Sequence, residues 1–76
     1  MEELLEILSE LHPEVDFETE KHLIDNGILD SFDIVTIITE IKDVFDVTID
    51  AKRIIPENFN SANALYTLIQ EIEEED

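Results

Sequence analysis

Asp25-Asn26-Gly27-Ile28-Leu29-Asp30-Ser31-Phe32-Asp33-Ile34-Val35 reads as a turn that runs directly into an amphipathic helix. Gly27 is the only glycine in the chain. It stands where a reversal ahead of a helix needs a positive φ, which glycine adopts without steric cost. Asp30 then serves as the N-cap, its carboxylate accepting a bond from a free backbone N–H. Asp33, three residues on, completes a capping-box-like pair, although Asp is shorter than the usual Glu or Gln. In this register Ser31 occupies the first helical position, and its hydroxyl is free for modification. The other register makes Ser31 the cap, puts Ile34 at the third helical position and forfeits the box, so the first is preferred.

The helix that follows is expected over Ser31 to Phe45. At about 100° per residue, Ile34, Ile37, Ile38, Ile41 and Phe45 gather on one face, with Val44 at its edge. Phe32 and Val35 fall on roughly the opposite side, near Thr36, Thr39 and Asp43. Two readings of Phe32 stand. It folds back over Ile28 or Leu29, or it joins Val35 in a small exposed apolar patch beside Ser31. Such a patch, with Asp30, Asp33, Glu40 and Asp43 around it, would suit the docking of partner enzymes.

The Asp-Asn-Gly-Ile-Leu-Asp-Ser-Phe-Asp run, followed by an apolar helix ending in Val44-Phe45-Asp46, resembles the carrier-protein family. These are the acyl carrier proteins and their peptidyl and D-alanyl relatives. The resemblance covers about residues 3 to 72. In that family the serine of an Asp-Ser-Leu motif is esterified with 4′-phosphopantetheine, and Asp30-Ser31-Phe32 falls on the motif with Phe in place of the commoner Leu. The resemblance implies that a phosphopantetheinyl transferase, using coenzyme A and Mg²⁺, attaches the arm to Ser31. It implies acyl- or aminoacyl-loading ligases or synthases with basic docking patches as further partners. The arm's thiol would carry the cargo as a thioester, which is how a cysteine-free chain does thiol chemistry. Thr36 and Lys42 stand where the fatty-acid pattern usually has carboxylates. The Gly-Ile-Leu-Asp-Ser order leans toward the D-alanyl group, which modifies cell-wall polymers. Fatty-acid synthesis, D-alanine transfer and specialised biosynthesis all remain open.

Working outward, Glu2 to Leu11 reads as a first helix with a stripe of Leu4, Leu5, Leu8 and Leu11, broadened by Ile7. Glu2 and Glu3 suit its first turn, and Pro13 ends it. His12 reads as an end residue compatible with the helix dipole. The Glu14–Leu29 connection is longer than a usual helix–helix loop. Phe17, Leu23, Ile24, Ile28 and Leu29 are its expected pins, with a single turn around Thr19 to Ile24. His22 has no paired ligand. Asn26-Gly27 lacks the alternating strands of a hairpin, and the positions before it lack the oxygen ligands of a calcium loop.

Beyond the central helix, Val47 and Ile49 alternate in an extended connector. Asp50 is expected to cap a very short helix, Ala51 to Ile55, ended by Pro56. Ile54 and Ile55 are expected to face inward, and Lys52 and Arg53 to relieve neighbouring acids. Phe59 anchors the last loop. Ser61, with Asn60 as alternate, caps a final helix over Ala62 to Ile72, and the acidic tail of residues 73–76 is expected to fray. The expected architecture is an all-α bundle of three longer helices plus one short one, with a long first loop, in a single carrier domain over residues 1–76. The carrier fold implies the same arrangement.

Composition sets outer bounds. Twenty-one acidic against four basic residues give a formal charge of −17. That argues against nucleic-acid phosphates and anionic membranes, and favours basic partner proteins reached by electrostatic steering. Disorder, the other consequence of high charge, is opposed by 43% hydrophobic residues set at helical period. Self-repulsion leads to a first prediction: the melting temperature rises with added salt or Mg²⁺, and a melting temperature indifferent to both contradicts it. No cysteine is present, so disulfides, thiolate metal sites and a cysteine nucleophile are excluded. With no apolar run of membrane length and no signal peptide, the expected compartment is the cytoplasm and the expected state a monomer.

An enzyme needs an activated nucleophile or a paired acid and base. Two isolated histidines and a capping carboxylate beside Ser31 do not supply one. The chain is therefore expected to be no enzyme, and Ser31 to be the substrate of one. A different class of reading is an acidic helical interaction module that never carries cargo, for which Ser31 would be dispensable.

Overall fold

Helix caps and the apolar stripes fix the elements of the computed structural model, which describes residues 1–75. Four α-helices follow in order: α1 Glu2–Leu11, α2 Ser31–Phe45, α3 Pro56–Phe59 and α4 Ala62–Glu74. A 3-10 turn at Ala51–Arg53 precedes α3. No strand occurs among the described residues, and the chain is an all-α bundle. α1 packs on α2 and on α4, and α3 packs on α4. The radius of gyration is 11.3 Å, against about 11.4 Å expected for a compact chain of this length.

The core is built from the predicted faces. α1 buries Leu4, Ile7 and Leu8, α2 buries Ile37 and Ile41, and α4 buries Ala62, Leu65, Leu68 and Ile69. The long first loop is pinned as its sequence predicts: Phe17, Leu23 and Leu29 are buried, and Ile24 and Ile28 pack against the same cluster. The connector Val47 and Ile49 and the anchor Phe59 are buried too. Ser61 caps α4, its hydroxyl accepting from the Ala64 N–H at 3.0 Å.

Four local expectations are corrected. In place of a single turn around Thr19–Ile24, the first loop makes two that flank it: Thr19 and Glu20 N–H both donate to the Asp16 carbonyl, the Asp16 carboxylate accepts from Glu18 N–H, and further on Asn26 and Gly27 N–H donate to the His22 and Ile24 carbonyls. The short helix is not Ala51–Ile55. Asp50 makes no side-chain cap there, and only a 3-10 turn forms before Ile54. Ile55 is extended, as a residue before proline must be. Pro56 then opens α3 at its first position, where a missing N–H is harmless. Ile54 and Ile55 consequently lie outward, 39% and 40% exposed, and Phe59 fills the interior instead.

The last correction concerns the acidic tail. α4 continues past Ile72 through Glu74. Carboxylates at a helix C-terminus oppose its dipole. Here Arg53 from the 3-10 turn donates through Nη2 to the Glu75 carboxylate, with Asp50 on its other side at 3.9 Å. Asp76 lies outside the described residues.

Candidate functional site

The site is assembled at the junction of the first loop with α2. Gly27 has φ +72°, the left-handed region that its position before the helix demands. A Cβ there would meet nothing within 4 Å. The strain on replacement is therefore one of backbone alone. Gly27→Ala is expected to lower stability by about 1 kcal/mol, read as a shift in the urea midpoint. An unchanged or higher midpoint would show that the turn does not need this conformation.

Asp30 is extended and caps α2, its Oδ1 accepting from Asp33 N–H at 2.8 Å. Asp33 Oδ2 accepts from Asp30 N–H at 3.3 Å, which closes the capping box. Ser31 is thereby the first residue of α2, in the register the caps predict, and it is exposed. Among the described residues its hydroxyl has no hydrogen-bond partner.

Phe32 is 79% exposed and Val35 62% exposed. The reading in which Phe32 folds back over the loop does not hold. Thr36 and Thr39 share this side of α2, and their hydroxyls donate to the carbonyls of Phe32 and Val35. That leaves their methyl groups as the outward surface. Asp43 is exposed on the same arc. Glu40 is exposed at its border, where it lines a groove of about 200 Å³ against Ile7 and Leu11 of α1. Asp33 differs from the other acids of the set. Its side chain is only 15% exposed and is tied inward.

Its partner is His12, which periodicity marks only as the end of α1. His12 Nε2 lies 2.8 Å from Asp33 Oδ2, and Nδ1 lies 3.0 Å from Glu14 Oε2. A neutral imidazole donates from only one nitrogen, so two carboxylates on the two nitrogens favour the imidazolium. The bond to Asp33 accordingly holds the His12 pKa above its ordinary value, against the opposing pull of burial. Burial pushes the Asp33 pKa up, but the bonds from His12 and from Asp30 outweigh it and hold the carboxyl below its usual range. Glu14 is held low by its own backbone N–H and by His12.

The pH dependence follows from these signs. The histidine contribution is complete below a free histidine's pKa and is lost as pH rises through the raised value. The Asp33 contribution is complete above a free aspartate's pKa and is lost as pH falls through the lowered one. Both are therefore complete only in mildly acidic solution. The difference in stability between wild type and His12→Gln is expected to be about 1 kcal/mol there and to shrink above neutral pH. A difference that stays constant from mildly acidic to mildly alkaline pH would exclude a charged His12 in the bridge.

Asn60 is the second residue that local patterns miss. It does not cap α4. Its Oδ1 accepts from Ile24 and Asp25 N–H at 2.9 and 3.1 Å, and its carbonyl accepts from Leu23 N–H at 3.0 Å. The loop that presents Ser31 is thus clamped to the α3–α4 junction. His22, 3.7 Å from Asp25, is exposed and takes no part in the clamp.

A groove of about 440 Å³ between Phe45–Thr48 and Ile72–Glu73 lies at the other end of α2. Fifteen helical residues put it roughly 20 Å from Ser31, so it has no part in chemistry at the hydroxyl. No cluster of three or more His, Asp or Glu among the described residues is arranged to hold a metal ion. No helix among them is long and apolar enough to cross a membrane. No known protein-family model and no curated protein matches the chain.

Proposed function

We propose that this chain is an acyl or aminoacyl carrier, loaded on Ser31 with 4′-phosphopantetheine and served by separate enzymes. The observation that carries the reading is the exposed, unpartnered Ser31 hydroxyl at the first position of a boxed helix, flanked by the exposed Phe32 and Val35. The residues fit the group in two respects. The hydroxyl is open to a transferase that brings coenzyme A and Mg²⁺. The Ser31 and Phe32 N–H groups lie at the start of α2 outside the capping box, and the helix dipole there would favour the charge of a phosphodiester. Asp30 sets a like charge beside it and tempers that gain. When bound, the arm supplies the thiol on which cargo travels as a thioester.

The chain's own contribution is presentation. The capping box fixes the direction of α2, and the Asn60 clamp fixes the loop before it. Phe32, Val35 and the methyls of Thr36 and Thr39 offer an apolar contact, with Asp43 and Glu40 at its margin to meet basic groups on a partner. The same patch also fits the second reading, an acidic interaction module without cargo, since an exposed phenylalanine ringed by acids docks partners whether or not Ser31 is loaded.

The deciding experiment is an intact-mass spectrum after incubation with coenzyme A, Mg²⁺ and a broad-specificity phosphopantetheinyl transferase. A gain of one phosphopantetheine is expected, mapped by fragmentation to Ser31. No gain on folded protein, with a known carrier converted alongside, would leave the interaction module.

A further inference from the structure

We propose that Asn26 is a spontaneous modification site, whose side-chain amide is lost through a cyclic imide formed with the Gly27 backbone nitrogen, at a rate set by opening of the Leu23–Leu29 turn. Asn26 and Gly27 are both exposed at the head of the loop. Gly27 carries no Cβ, and the space where one would stand is empty to 4 Å. With no side chain on residue 27, none of its own atoms beyond the backbone crowds the approach of its nitrogen to the Asn26 Cγ. The other three asparagines, Asn58, Asn60 and Asn63, are followed by Phe59, Ser61 and Ala64, each with a side chain in the way.

In the first step a bond forms from Gly27 N to Asn26 Cγ, and the Cγ–Nδ2 bond breaks. The amide leaves as ammonia, taking up the proton that the Gly27 nitrogen gives up. Water then opens the imide at one of its two carbonyls. Opening at one gives an aspartate at position 26. Opening at the other gives an isoaspartate, in which the main chain runs through the side-chain methylene. Either product adds one negative charge to the chain.

The native turn restrains this reaction. Gly27 N–H donates to the Ile24 carbonyl at 3.0 Å, and Asn26 N–H donates to the His22 carbonyl at 2.8 Å. The nucleophilic nitrogen is released only when the turn opens. The turn in its turn is held by Asn60, through Leu23, Ile24 and Asp25 N–H, and by an Asn60 Nδ2 bond to Asp25 Oδ2 at 3.2 Å. Asn60 thereby gates the chemistry at Asn26. The isoaspartate lengthens the main chain inside a closed set of bonds, since Ile28 and Leu29 N–H both return to the Leu23 carbonyl. The lengthening falls four residues before the cap Asp30. Slower loading of Ser31 by the isoaspartate form rests on the carrier reading; the modification itself does not.

The test ages the full chain at neutral pH and physiological temperature, beside Asn26→Ser and a reference peptide of residues 22–30. No transferase is used, so the outcome is independent of Ser31. Expected is the mass gain of an amide NH₂ replaced by OH, mapped to position 26, together with methyl transfer by an isoaspartate-specific methyltransferase. Asn26→Ser shows neither. Asn60→Ala, checked to be folded by circular dichroism, ages about tenfold faster, because the side-chain bonds to Ile24 N–H, Asp25 N–H and the Asp25 carboxylate are lost while the backbone bond from Leu23 N–H remains. The same acceleration is expected of wild type in urea below its unfolding transition, in step with hydrogen exchange of the Gly27 amide. No gain at position 26 while the peptide converts, or a gain that survives Asn26→Ser, overturns the site. Ageing indifferent to both Asn60→Ala and urea overturns the gate.

Discussion

Ser31→Ala is expected to abolish uptake of phosphopantetheine from coenzyme A while leaving the bundle folded. The first half rests on chemistry. An ester needs the hydroxyl, and no other hydroxyl stands at the start of α2. The second half rests on the local structure. Asp30 and Asp33 cap α2 without help from Ser31. Its exposed side chain packs against nothing in the core, and alanine is the better helix former. The stability change is expected to lie within about 0.5 kcal/mol. Mass spectrometry and thermal melting on one sample read both halves. Continued loading of Ser31→Ala would place the arm elsewhere. Failed loading with a collapsed melting transition would mean that Ser31 also holds the fold, against its exposure.

Phe59→Ala is expected to have the largest effect on stability. Phe59 is 1% exposed, in a helix of only four residues. Truncating a buried phenylalanine removes about 3–5 kcal/mol. A chain of 76 residues holds roughly 4–11 kcal/mol in all, so the variant is expected to lose about a quarter of that stability or more. Phe32→Ala is the matched control: the same chemical change at 79% exposure alters stability by less than about 0.5 kcal/mol. Urea titration separates the two. Equal losses at both positions would mean that burial does not govern them. Phe59 immediately precedes Asn60, so its loss also frees the loop clamp, and faster exchange of Leu23 and Ile24 amides is expected with it.

How far sequence reaches depends on the distance over which an interaction is encoded. The α2 register was legible because the Asp30–Asp33 box spans three residues. The outward arc of Phe32 and Val35 was legible because helical period places them away from Ile37 and Ile41. Whether Phe32 then folded back over Ile28 was not legible, since that depends on where the loop lies. The 51–59 stretch is ambiguous to local rules because Pro56 both stops one turn and starts the next. Only the buried position available to Phe59 selects between a helix before the proline and one after it.

Local rules therefore determined the all-α class, the pinned loop and the exposed Ser31, because caps and periodicity act within about one helical turn. Tertiary structure decided the three ties that period and caps do not encode. His12 meets Asp33 across 21 residues, Asn60 meets Asp25 across 35, and Arg53 meets Glu75 across 22. Each joins groups that become neighbours only when burial of the common core brings the end of α1, the start of α2 and the flanks of α4 together.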